Sequence, residues 1–328
     1  MTAALVVEDL YTTFTRGGTE ITAVRGVTLS VAAGETMTVL GESGSGKSVT
    51  VRSILRLHNG SARTTGRIQV AGVDVLTMNP RQLTAFRGRQ VAMVPQDPTA
   101  ALDPLRTVGA QLTEVIRWHG VEKTRRAART RAADLLGRVG ISDPVRAAGS
   151  YPHELSGGMR QRVMIAIAVS CEPAVLLADE PTTALDVTVQ AQILELFADL
   201  QQEFHTALLL ITHDVGVAKE VGGRIGVMYA GRLVESGRAQ DVLRDPSHPY
   251  TRGLLDCIPD PEVDRGMLRV IAGRPPLPGE QLSGCPFAPR CDLVTADCHT
   301  AEPPAYPLPH DRSVACLLQA PKELAWTP

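Results

Sequence analysis

Three short runs in this 328-residue chain combine residue types and spacings that could do chemistry. The first, Gly41-Glu42-Ser43-Gly44-Ser45-Gly46-Lys47-Ser48, fits the pattern G-x-x-x-x-G-K-[ST]. Glycines there let backbone N–H groups turn inward around phosphate oxygens, and a following helix points its positive end at them. Lys47 would contact the β- and γ-phosphates, and the Ser48 hydroxyl would ligate Mg²⁺. The bland alternative is an unliganded Gly/Ser turn. It is disfavoured because a short apolar strand precedes the run and a helical pattern follows it.

The second run, Val175-Leu176-Leu177-Ala178-Asp179-Glu180, is an apolar strand that ends in two acids. Asp179 would hold the Mg²⁺ shell. Glu180 is then placed to polarise a water against the γ-phosphate, a role that contributes roughly 10²–10⁴ in rate. Without a phosphate loop elsewhere in the chain, these would read as an exposed acidic strand end. The third run, Leu155-Ser156-Gly157-Gly158-Met159-Arg160-Gln161, opens a helix with a hydroxyl and two glycines, a second anion-binding helix start. The alternative is a plain serine N-cap. One nucleotide does not need two such cradles from one chain. Two chains arranged head to tail would use both.

The elements that must carry these runs are legible in outline. Residues 5–9 and 20–31 read as strands with a turn at Gly17-Gly18. Residues 36–40, 67–75, 91–95, 175–178, 207–211, 225–229 and 232–235 read as further strands. Helices are expected from Lys47 to about Leu57, near 108–118, near 123–139, over about 157–170 and over about 187–204. Alternation of strands and helices argues for a largely parallel sheet covered by helices, with a helical insertion between about 97 and 157. After about residue 245 proline becomes frequent and aliphatic periodicity fades, which predicts a tail without an ordinary hydrophobic core.

Composition limits the partners. With 33 basic and 35 acidic residues the net charge is −2, which gives no electrostatic reason to expect nucleic acid. No apolar stretch approaches the roughly 20 residues that span a bilayer, and no basic segment with an apolar core opens the chain. A soluble cytosolic chain that meets a membrane only through partners is therefore expected. Of the basic residues only Lys47, Lys123, Lys219 and Lys322 are lysines, so Lys47 stands out inside its Gly/Ser run.

Taken together, the three runs resemble the ATP-binding subunits of ABC transporters, since Leu-Ser-Gly-Gly-Met-Arg-Gln shortly before an Asp-Glu strand is similar to that family's signature. Over residues 4–245 the resemblance implies several further roles. Gln96 would be the Gln-loop residue that senses Mg²⁺ and water, Ala184-Leu185-Asp186 the loop at the dimer interface, and His213 the switch histidine on the γ-phosphate. Phe14 would stack on adenine, with Tyr11 as the neighbouring candidate. The implied fold is an α/β phosphate-loop ATPase core with a mixed, largely parallel sheet, an antiparallel β subdomain, an inserted α-helical subdomain and a small irregular Cys-containing C-terminal extension.

That extension, residues 246–328, carries Cys285, Cys291, Cys298 and Cys316 at spacings C-x5-C-x6-C-x17-C. These are not the C-x2-C pairs typical of zinc fingers. Four thiolates in a coreless cytosolic tail could fold it around a metal. His248-Pro249-Tyr250-Thr251, Cys-Pro-Phe-Ala-Pro-Arg-Cys and Gln96-Asp97-Pro98 with Leu102-Asp103-Pro104 are similar to the ATPases of dipeptide, oligopeptide and nickel importers. That resemblance implies a [4Fe–4S] cluster on the four cysteines, with zinc, or unligated or disulfide-linked thiols, as the other readings. It also implies two integral-membrane permease subunits, a second and often different ATPase chain, an extracytoplasmic peptide-binding protein, and a place on the cytoplasmic face of the membrane. The expected function is the ATP-hydrolysing motor of a peptide importer, with nickel as the alternative cargo. A soluble ABC ATPase acting on DNA or ribosomes would usually show a long coiled coil or two cassettes, and neither is present.

Overall fold

The computed structural model describes residues 3–58, 60, 62–183, 185–257, 270–277, 279–280 and 283–320. In chain order it opens with β1 (Ala3–Arg16), β2 (Thr19–Ala32), β3 (Thr36–Leu40), α1 (Lys47–Ile54), β4 (Ala62–Val70), β5 (Val73–Asp74), α2 (Pro80–Phe86) and β6 (Val91–Val94). Then come α3 (Pro98–Ala101), α4 (Val108–Trp118), α5 (Arg125–Arg138), α6 (Pro144–Gly149), α7 (Gly157–Val169), β7 (Val175–Asp179), α8 (Val187–Phe204) and β8 (Ala207–Thr212). The last third holds α9 (Val215–Val221), β9 (Arg224–Tyr229), β10 (Arg232–Arg238), α10 (Ala239–Arg244), α11 (Pro249–Asp256), β11 (Tyr306–Leu308) and β12 (Arg312–Val314). These elements group into two compact units, Met1–Val6 with Ser30–Glu35 and Ile68–Ile211, and Val7–Leu29 with Thr36–Arg67 and Thr212–Pro328.

In the first unit β6, β7 and β8 pair in parallel, Val91 beside Val175 and Val175 beside Ala207. Every residue of β7 and β8 is buried, as continuous apolar runs in a parallel sheet covered on both faces should be. Helices α4, α5 and α6 pack on one another, and α4 and α5 also meet α7. Helix α4 turns Val108, Leu112 and Ile116 inward at a spacing of four, all fully buried. Burial of each such side chain stabilises the fold by about 1.5–3 kcal/mol. Helix α6 was not predicted, although Asp143 caps it through a bond from the Arg146 amide and Pro144 opens it.

The single strand expected over 67–75 is a hairpin. Ala71 and Gly72 both take positive φ, +49° and +79°, and β4 turns back into β5 with Gln69 opposite Asp74. Two central residues at positive φ make the tight turn that suits twisted strands.

In the second unit β3 runs parallel to β9, with Leu40 beside Val227, and β10 returns antiparallel to β9. The tail departs from its expected lack of a core. Tyr229, Val242, Tyr250 and Phe287 belong to one buried cluster, with Tyr229 and Tyr250 ring centroids 4.6 Å apart and Phe287 edge-on to Tyr229 at 5.3 Å. Strand β12 pairs antiparallel with β10, Glu235 opposite Val314, and β11 pairs with β12. Glu235 is buried at the join, where it accepts from the Ser247 and His248 amides and pairs with Arg312 at 2.9 Å.

Candidate active site

The fully buried strand β3 delivers the chain into the glycine run, and α1 starts at Lys47. Gly46 caps that helix at φ +104°, and its carbonyl accepts from the Thr50 amide at 2.9 Å and the Thr50 hydroxyl at 3.1 Å. A β-carbon on Gly46 would lie 2.7 Å from the Ala23 carbonyl oxygen, so only glycine fits. The loop is braced from β9 and β10 by the Gly231 amide, which donates to the Ser45 carbonyl at 2.8 Å. The Lys47 ammonium is buried and donates to the carbonyls of Gly41 (2.7 Å) and Glu42 (3.0 Å). The glycine turn, the helix start and the lysine are thus held together in one loop.

Phe14, half-buried on β1, sits edge-on to His58 with centroids 5.2 Å apart, whereas Tyr11 is more exposed. Burial lowers the pKa of His58 beside Phe14 and so disfavours its charged form. His213 is exposed in the turn between β8 and α9, whose first turn is capped by Asp214.

In the first unit Asp179 ends β7 with its side chain buried, 1% exposed. Glu180 follows at φ +48°, its amide donating to the Ile211 carbonyl at 3.0 Å. A glutamate at positive φ is uncommon, and such residues cluster where the chain must aim a functional group. Its carboxylate oxygen Oε2 accepts from Gln96 Nε2 at 3.3 Å and from the Thr183 hydroxyl at 3.0 Å. Two residues predicted independently, Gln96 and Glu180, are therefore brought together.

Ser156 caps α7, its Oγ accepting from the Met159 amide at 3.3 Å. Gly157 opens onto space, while a β-carbon on Gly158 would meet Val189 of α8 at 2.9 Å. Arg160 donates to the Leu155 carbonyl at 3.0 Å and so ties the helix to the segment before it. Asp186 caps α8 through the Val189 amide at 2.9 Å. Ala184 lies outside the described residues.

The structure gives no support to the expected [4Fe–4S] cluster on the four tail cysteines. Among the described residues no group of three or more His, Cys, Asp or Glu is arranged to hold a metal ion. Cys285, Cys291, Cys298 and Cys316 are free thiols. Burial pushes the pKa of Cys285, Cys291 and Cys316 up, and the neighbouring cysteines add to the rise. The tail does not require a metal to gather its chain, since Phe287 and Tyr250 supply a core.

Residues 24–183 match the family described as ABC transporter, and residues 234–298 match the C-terminal region of oligopeptide/dipeptide transporters. The chain is 46% identical to the oligopeptide transport ATP-binding protein AppD of Bacillus subtilis (strain 168), over 97% of each chain. It belongs to the ABC transporter ATP-binding family. Its activity is that of the family, ATP hydrolysis coupled to transport. The dipeptide transport ATP-binding protein DppD of the same organism is 44% identical, over 97% of this chain and 96% of its own. A solved ATP-binding cassette dimer in a post-hydrolysis state, bound to ADP and phosphate, superposes with a TM-score of 0.64. It is 28% identical and covers 72% of this chain and 98% of its own.

Three residues that touch the predicted ones escaped the sequence reading. Thr183 steadies Glu180, and a hydroxyl three residues after an acid in a turn was a usable hint. Tyr250 accepts from the Glu42 amide at 2.9 Å, and Arg290 pairs with the Glu42 carboxylate. Both lie more than 200 residues from the loop, so no local pattern announces them.

Proposed function

We propose that this chain is the ATP-hydrolysing motor subunit of an ABC importer for di- or oligopeptides. In this reading residues Gly41, Glu42, Ser43, Gly44, Ser45 and Gly46 present the loop amides to the phosphates, Lys47 neutralises them, and Phe14 stacks on adenine. Asp179, Ser48 and Gln96 would serve Mg²⁺ in this reading, a buried carboxylate and a helix-start hydroxyl being hard oxygen donors of the kind that ion takes. The bound ion would neutralise charge on the phosphates. Glu180 accepts the proton of the attacking water, and His213 contacts the γ-phosphate. Ser156, Gly157, Gly158 and Asp186 serve the site shared with a second ATPase chain, as the dimeric form of the solved relative supports.

Peptide is favoured over nickel because the relatives quoted above carry oligopeptide and dipeptide transport in their names. No described helix is long and apolar enough to cross a membrane. In this reading two permease subunits carry the cargo and an extracytoplasmic receptor delivers it. Residues 1–245 are read as the ATPase domain and 246–328 as an extension characteristic of peptide importers.

The observation that carries the reading is the Glu180 carboxylate held by Gln96 and Thr183. A positioned carboxylate is what a general base requires before its pKa matters. Glu180→Gln should keep ATP affinity and lower the hydrolysis rate by about 10²–10⁴-fold, trapping a closed dimer. Wild-type turnover in that variant would remove Glu180 from the role.

A further inference from the structure

The tail reaches the phosphate loop through two side chains, Tyr250 and Arg290, and only Arg290 brings charge. Arg290 lies in a 3₁₀ turn (Ala288–Arg290) inside the segment bounded by Cys285 and Cys291. Only 4% of its side chain is exposed. Its guanidinium forms two parallel bonds to Glu42, Nη1 to Oε2 at 2.8 Å and Nη2 to Oε1 at 3.0 Å. The remaining edge donates from Nε to the Ala272 carbonyl at 3.0 Å, and the group lies over the Tyr229 ring at 5.8 Å. Burial alone would lower the Arg290 pKa, but the bonds to Glu42 and Tyr229 outweigh it and raise the value. The guanidinium is charged at every working pH.

Glu42 is the second residue of the loop, and each of its polar groups is engaged. The carboxylate takes Arg290, the amide donates to Tyr250 at 2.9 Å, and the carbonyl accepts from Lys47 at 3.0 Å and from the Ser45 amide at 3.2 Å. The G-x-x-x-x-G-K-[ST] pattern asks for no acid at this place. A carboxylate beside a triphosphate repels it unless a cation compensates. Bidentate pairing also fixes geometry in a way a lone ammonium cannot.

We propose that Arg290 is a positioning residue of the nucleotide site: it neutralises Glu42 and fixes the first turn of the phosphate loop, so that the tail sets the affinity for ATP. This rests on the reading of Gly41–Ser48 as the phosphate loop.

The test uses the full chain and measures ATP binding at equilibrium together with KM and kcat for hydrolysis. Arg290→Met keeps an unbranched stem of similar length and removes the charge, so it serves where Arg290→Ala does not fold. Its Kd and KM for ATP should rise about tenfold, equivalent to ~1.4 kcal/mol, while kcat moves far less. Arg290→Lys should fall between that variant and wild type. Removing the carboxylate as well, in Glu42→Ala/Arg290→Met, should recover most of the lost affinity. A role confined to holding the tail together would lower thermal stability, leave the Kd in place and show no recovery. An unchanged Kd in Arg290→Met, or a double variant no better than the single, would overturn the inference. Lys47→Ala reports on the underlying reading separately. If it binds ATP like wild type the loop assignment fails, whereas loss of binding there with an unchanged Arg290→Met overturns only the role of Arg290.

Discussion

Gly46→Ala tests the phosphate loop by sterics alone, and its size can be worked from the structure. At φ +104° an alanine lies beyond the small left-handed region open to L-residues, which costs about 1–3 kcal/mol. The new methyl would also sit 2.7 Å from the Ala23 carbonyl oxygen and 2.9 Å from Met228 Cε. Met228 can swing, but the Ala23 carbonyl belongs to the backbone of β2. Relief must come from the loop, and overpacking of this kind costs about 1–3 kcal/mol more. Gly44→Ala is the internal control. Its φ is also positive, +81°, yet nothing lies within 4 Å of the added carbon, so only the backbone strain of about 1–2 kcal/mol applies. Unfolding free energies from urea titration should therefore fall in both variants, with Gly46→Ala lower by a further ~2 kcal/mol. Because the Gly46 carbonyl caps Thr50, its displacement drags the first turn of α1, and ATP affinity should drop more than about tenfold. If Gly46→Ala is as stable as Gly44→Ala and binds ATP within about twofold of wild type, the steric reasoning is wrong.

Two other expectations concern the tail. Burial lowers the His248 pKa from 6.5 to about 4, so between those values the unfolded chain binds a proton that the folded chain does not. Stability is then complete above pH 6.5 and is lost as pH falls towards about 4, by up to ~3 kcal/mol. His248→Asn keeps a capping acceptor, and an undiminished acid slope in that variant would assign the effect elsewhere. For the cysteines, removal of iron and zinc by chelators should leave residues 283–320 as resistant to proteolysis as before, because Phe287 and Tyr250 already close their core. Cleavage within that segment after chelation, with iron and sulfide released, would restore the cluster on Cys285, Cys291, Cys298 and Cys316.

Local patterns carried the centre of the fold well. Helix α8 occupies Val187–Phe204 as its spacing of Ile193, Leu196, Phe197 and Leu200 predicts, and β3, the glycine run and α1 follow in the expected order. Helix α1 ends at Ile54, short of Leu57, because Arg56 takes a positive φ that no helix tolerates. The tail was misread for a different reason. Its core consists of Tyr229, Tyr250 and Phe287, aromatic residues far apart in the chain, so it leaves no periodicity in any window. The same distance hid Arg290 and Tyr250, whose partner Glu42 is identified by packing rather than by spacing. Chemistry written in contiguous residues was legible, and chemistry assembled across 200 residues was not.

The pairing of β12 with β10 has a consequence for the chain's behaviour in solution. Without the tail, β10 would present an open row of N–H and C=O groups, the kind of edge that recruits strands from other molecules. The short ribbon of β12 and β11 fills that edge, and the Ala315 amide continues the ladder to Val234 at 2.8 Å. Ser236 and Ser313 join hydroxyls across it at 2.8 Å. The tail thus closes an edge that would otherwise invite pairing with other chains.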